Sequence, residues 1–150
     1  MDKPFYEFRI EHDACLFSFV SDGPRPTTKL VLYSETDIAG LYNLSLADVE
    51  PDGGANYNSV RNNGDLEQIM ATVAQTLLAF FAQHPLALVA FSGNTPSRTR
   101  LYQIVLAREI QAASERFVLL GLLGTTLVPF YPNQPYDGFV ISLLPTKTDL

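Results

Sequence analysis

The segment FSGNTPSRTRLYQ, residues 91–103, sets two arginines just inside the start of a helix. A helix N-terminus carries partial positive charge, so a cation there is unfavourable by up to about 1 kcal/mol unless an anion lies beside it. Thr95 before Pro96 reads as an N-cap followed by proline at the first helical position. Free backbone N–H groups at 95–98, the hydroxyls of Thr95, Ser97 and Thr99, and one folded-over arginine would then cradle a phosphate. Arg98 and Arg100 leave the helix about 200° apart, so through the helix alone they do not both face one small anion. The candidate anion site is Asn94, Thr95, Ser97, Arg98, Thr99, Arg100 and Tyr102, the tyrosine being placed to stack on a base or to pack on the sheet. The segment lacks the glycine spacing and lysine of a P-loop, and it lacks the dinucleotide fingerprint. In the competing reading Arg98 or Arg100 is an internal brace, paired with Asp65 or Glu67.

Other chemistry has less to stand on. A metal-free ribonuclease toxin would draw on His84 with Arg98, Arg100 and Tyr102. One strand, about 20 Å long, separates His84 from Arg98 and sets them at opposite ends of a sheet. Cys15 is the single cysteine, which excludes an internal disulfide; beside Leu16 and Phe17 it reads as a buried thiol, three residues from His12. The two histidines give no metal-ligand spacing. The sequence therefore offers no catalytic residue, no metal site and no cofactor, and it leans away from an enzyme.

A net charge of −6 argues against broad nucleic-acid binding, which is built on many basic contacts to phosphate. The charge is uneven. Residues 1–52 hold ten acids and four bases, whereas residues 53–116 hold four acids and five bases, all of them arginine. With 47% hydrophobic and 17% charged residues the chain suits a globular fold, and its apolar runs are far shorter than a membrane span. MDKPFYEF lacks the features of a secretory signal, so a cytoplasmic location is expected.

The elements that must position these residues follow from period and punctuation. Residues 1–49 read as antiparallel strands forming a meander with one packed face. Residues 50–64, rich in asparagine and glycine, read as a loop, the second place to look for a site. A helix is predicted over 65–84, opened by Asp65 and Gln68 as a capping box and ended by Pro85. Residues 86–92 read as a central strand covered on both faces, 96–114 as the second helix, and 116–144 as C-terminal strands. The expected architecture is a single α+β domain, an antiparallel-dominated sheet of about six or seven strands with two helices packed on it.

NNGDLEQIMATVAQTL, FSGNTPSRTRLYQ and GLLGTTLVPF together resemble a family of uncharacterised small bacterial proteins found mainly in Bacteroidota. The matching positions are Asn63, Gly64, Asp65, Gly93, Thr95, Ser97, Arg98, Thr99, Arg100, Leu101, Tyr102, Gly121 and Leu122. The resemblance implies a bacterial, cytoplasmic setting and brings no activity with it. The leading expectation is a non-enzymatic binding module for phosphate, a nucleotide or a phosphate-bearing chain. The alternative is a protein-interaction module, a homodimer or half of a two-gene pair, in which Arg98 and Arg100 are structural. No membrane partner is expected.

Overall fold

The computed structural model describes residues 5–56, 65–91, 96–131 and 134–144, with residues 56, 96–100 and 102 described by backbone alone. The chain opens with four strands in sequence order: β1 (Arg9–Glu11), β2 (Leu16–Ser21), β3 (Thr27–Glu35) and β4 (Leu41–Val49), each antiparallel to the one before. β5 (Ala55–Asn56) pairs with the end of β4, inside the stretch expected to be loop. The helix α1 (Leu66–Gln83) then carries the chain back to β6 (Leu88–Phe91), which lies parallel to β4. A second helix, α2 (Pro96–Ala113), precedes β7 (Phe117–Leu123), β8 (Thr126–Pro129) and β9 (Gly138–Leu143).

Along the sheet the order is β1-β2-β3-β4-β6-β9-β7-β8, with β5 beside β4 off this path. Eight strands thus form the run, against the expected six or seven. The β7–β8 hairpin turns at Gly124, which opens the two-residue link between Leu123 and Thr126 at φ +63, a conformation open to glycine and suited to a tight hairpin. α1 begins without the expected capping box, since the Asp65 side chain makes no cap hydrogen bond.

Residues paired across neighbouring strands share a face of the sheet, so the register sorts every strand residue onto one of two faces. Phe17, Val31, Leu46, Val89, Phe117, Phe139 and Ile141 all lie on one of them, and all belong to the hydrophobic core. Both helices pack there: Met70, Val73, Leu77 and Phe80 of α1 and Leu106 and Ile110 of α2 join the same cluster. At its centre Phe80 stacks on Tyr33 at 4.4 Å between ring centroids, with Tyr42 and Phe81 edge-on. On this face Gly121 leaves room for the Tyr136 ring, whose nearest carbon lies 2.4 Å from where a Cβ would sit.

No strand-borne member of that core comes from the opposite face. β6 is central, between β4 and β9, yet the expected cover on both its faces is corrected: Leu88 on the second face is 41% exposed. Leu86, just before the strand, is 91% exposed. Both helices follow from crossovers onto the same side, which leaves the other side of the sheet without a helix among the described residues.

Candidate functional site

Polar groups are buried at one end of the core face. Thr27, Lys29, Val31 and Tyr33 alternate inward along β3, so the period of the strand places a lysine among core residues. Lys29 Nζ donates to Asp48 Oδ1 at 2.5 Å, and both side chains are fully buried. The two residues face each other across the β3–β4 pair. Next to them, Ser21 pairs with Thr27 across β2 and β3, and Ser21 Oγ donates to Asp65 Oδ2 at 2.6 Å. The Tyr6 hydroxyl also donates to Asp65 Oδ2, while accepting from the Asp22 amide at 3.1 Å. Asp65 Oδ1 is buried with no hydrogen-bond partner. The Tyr6 amide donates to Thr72 Oγ1 at 2.8 Å, which ties the N-terminal segment to α1 rather than to the edge of β2. Between that segment and β2 lies an open groove of about 940 Å³, lined by Tyr6, Arg9, Ser18, Asp22 and Gln68 among others.

Burial, and then the Asp65 hydrogen bond, push the Tyr6 phenol above its ordinary value. Tyr33 is fully enclosed, and burial pushes its phenol up as well. The stability that a raised phenol confers is complete below pH about 10, where the unfolded chain also keeps its proton, and is lost as pH rises toward the folded value. Above pH 10, unfolding free energy is therefore expected to fall by about 1.4 kcal/mol per pH unit for Tyr33 alone. Urea unfolding between pH 8 and pH 11 checks this, with Tyr33→Phe expected to flatten the decline.

At the far end of α1 the His84 ring stacks on Phe80 at 4.7 Å, and its Nε2 donates to the Asp13 carbonyl at 2.9 Å. The turn it holds is unusual, because His12, Asp13 and Ala14 all have positive φ (51°, 57° and 62°). Cys15 is half-buried, and its neighbour is His84, with Sγ 3.7 Å from Nε2, not His12. Burial, then the charges of Asp13 and Glu35, push its thiol up, the opposite of what a reactive cysteine requires. His84 serves as a clamp on a hairpin turn.

Of the sequence-derived anion site, Asn94 and Thr95 lie outside the described residues. Ser97, Arg98, Thr99, Arg100 and Tyr102 contribute backbone to α2, and their side chains lie outside the description. Among the described residues, Asp65 takes Tyr6 and Ser21, and Glu67 takes Arg108 at 3.1 Å. The Arg108 and Glu67 side chains are 56% and 75% exposed, so that pair adds little stability. Among the described residues, no group of three or more His, Cys, Asp or Glu gathers around a point where a metal ion could be held. Nor is any described helix long and apolar enough to cross a membrane.

The second candidate surface went unread in the sequence. On the helix-free face, β2 to β8 present only Leu, Val, Ala, Pro, Gly, Ser, Thr and Asn. No charged residue occurs on it across those seven strands, in a chain with 26 charged residues (10 Lys+Arg and 16 Asp+Glu). Leu30, Leu32, Leu120 and Leu122 are half-buried by their neighbours in the sheet, and Val20, Leu88 and Leu127 are exposed. The signal for it was apolar residues at both parities of one strand, as in LFSFVS, FVLLGLL and GFVISL. An antiparallel sheet with one solvated face ordinarily alternates apolar and polar residues, and these strands do not.

The molecule is thus an α+β protein whose mostly antiparallel sheet carries both helices on one face and, from β2 to β8, an uncharged surface on the other. The chain belongs to a family of unknown function, DUF6934, whose model matches residues 2–144. No curated protein and no solved structure matches it.

Proposed function

We propose that the chain is a protein-interaction module whose working surface is the helix-free face of the sheet. A single observation carries this reading: seven adjacent strands present no charged side chain on that face, where Val20, Leu88 and Leu127 are exposed and only Ala47, Gly138 and Val140 are buried. An uncharged and largely apolar surface of this breadth is costly to leave in water and marks a docking site. Aligned packing of two sheets is the simplest way to bury it. The proposal keeps the bacterial, cytoplasmic setting that the sequence resemblance implies.

Leu32→Lys and Leu120→Lys test the reading. On an open docking face the lysine ammonium reaches water, so each isolated protomer should keep its unfolding free energy to within about 1 kcal/mol in urea titrations at low protein concentration. A loss of several kcal/mol in the isolated protomer would mean that the face is interior, covered by the chain itself, and would end the proposal.

A second reading, the anion site of residues 94–102, is favoured by the topology. β4 and β6 run parallel, and the connection after each leads to the N-terminus of a helix. The carboxyl ends of parallel strands are where α/β sheets place their ligands. Phosphate, nucleotides and a short RNA, each assayed for a rise in thermal midpoint, test this site in the wild type and in Arg98→Ala and Arg100→Ala proteins. A rise lost in the variants would support it, and no rise with any of these ligands would count against it.

A further inference from the structure

Resting on the interaction reading, we infer that the partner seated on the helix-free face is a second copy of this chain, docked sheet to sheet about a two-fold axis that crosses the strands. The charge distribution selects this occupant. The chain carries −6 overall, with ten acids against four bases in residues 1–52, so two copies repel on average and meet best through surface that adds no like charges. The helix-free face from β2 to β8 brings none.

The rim supplies the orientation. β1 extends the face beyond β2 with two charged residues of opposite sign, Arg9 opposite Ser18 and Glu11 opposite Leu16. They flank Ile10 on one strand, and both are exposed. A two-fold interface is self-complementary: whatever one residue meets on the partner, the partner's residue meets in return. An axis crossing the strands at Ile10 lays β1 antiparallel over its own copy, so that Arg9 of one protomer faces the partner's Glu11, and Glu11 faces the partner's Arg9. An axis running along the strands would instead lay β1 over the opposite edge of the sheet, where β8 places Leu127 and Pro129 on this face. Two ion pairs would then be lost, and four charges would lie against apolar surface. The crossing-axis arrangement accommodates the roughly 30° angle between strands usual in aligned sheet packing.

Sedimentation equilibrium on the full chain tests the inference, with four variants beside the wild type. The wild type is expected at twice the protomer mass at micromolar concentration. Leu120→Lys is expected to be monomeric, with unchanged far-UV circular dichroism. Asn43→Lys, at an exposed polar position of the same face, gives the same test without removing an apolar side chain. Arg9→Glu should weaken dimerisation roughly tenfold at low salt, and Arg9→Glu with Glu11→Arg should restore it. A wild type that stays monomeric at hundreds of micromolar overturns the inference; if the face lysine variants are then as stable as wild type, the interaction reading survives with a different partner. A dimer that persists in both Leu120→Lys and Asn43→Lys places the contact elsewhere and overturns it too. Failure of the charge swap to restore what Arg9→Glu loses overturns the proposed axis.

Discussion

Lys29→Ala should destabilise the protein by about 3–5 kcal/mol, because it leaves Asp48 as a buried carboxylate without its ammonium partner. That is a large share of the roughly 5–15 kcal/mol that holds a domain folded. The pair itself need not contribute much net stability, since taking two ions out of water offsets most of their attraction. The two effects separate in a double variant. Lys29→Met with Asp48→Val removes both charges and keeps the combined volume to within about one methylene, and it should recover most of what Lys29→Ala loses. Urea unfolding of the three proteins decides this: a single variant within 1 kcal/mol of wild type would show that water reaches the pair. A double variant as unstable as the single would show that neighbouring polar groups depend on it.

Phe80→Ala is the second large effect, again about 3–5 kcal/mol, because a fully buried ring is lost and its cavity is walled by aromatic rings that relax poorly. Phe80 touches Tyr33, Tyr42, Phe81 and His84, so its loss loosens both halves of the packing. Because His84 stacks on Phe80 while holding the Asp13 carbonyl, the β1–β2 turn should also lose protection. Hydrogen exchange at Cys15, whose amide donates to the His12 carbonyl across that turn, is the local readout, and urea unfolding is the global one. Phe80→Leu should show a smaller version of both changes.

The parts of this fold that could be read in the sequence are those where one physical rule acts alone. The stripe of Ile69, Met70, Val73, Leu77 and Phe80 marks α1 without help from the rest of the chain. Thr95 and Pro96 mark the start of α2, which begins at Pro96. What escaped depends on which partners meet. Asp65 looked like a helix cap, but its carboxylate turns to Tyr6 of the N-terminal segment and Ser21 of β2, residues far away in sequence. Lys29 counts in the composition only as one of four bases in residues 1–52, although the period-two run Thr27, Lys29, Val31, Tyr33 places it inward. Its counter-ion comes from the register of β3 on β4, which no local pattern reveals. The helix-free face was hidden for a similar reason. The unbroken apolar run of residues 86–92 reads as a strand covered on both faces, and only the sheet order puts both helices on one.

The most direct test of the interaction surface is hydroxyl-radical footprinting of the Leu120→Lys protein at low concentration, where association is blocked and each side chain reports its own access to water. Leu30, Leu32 and Leu122 are expected to be oxidised readily, while Leu77 and Leu106, fully buried in the core, stay inert. Leu30, Leu32 and Leu122 as inert as Leu77 and Leu106 would mean that the chain itself covers the face, and the interaction surface would not exist.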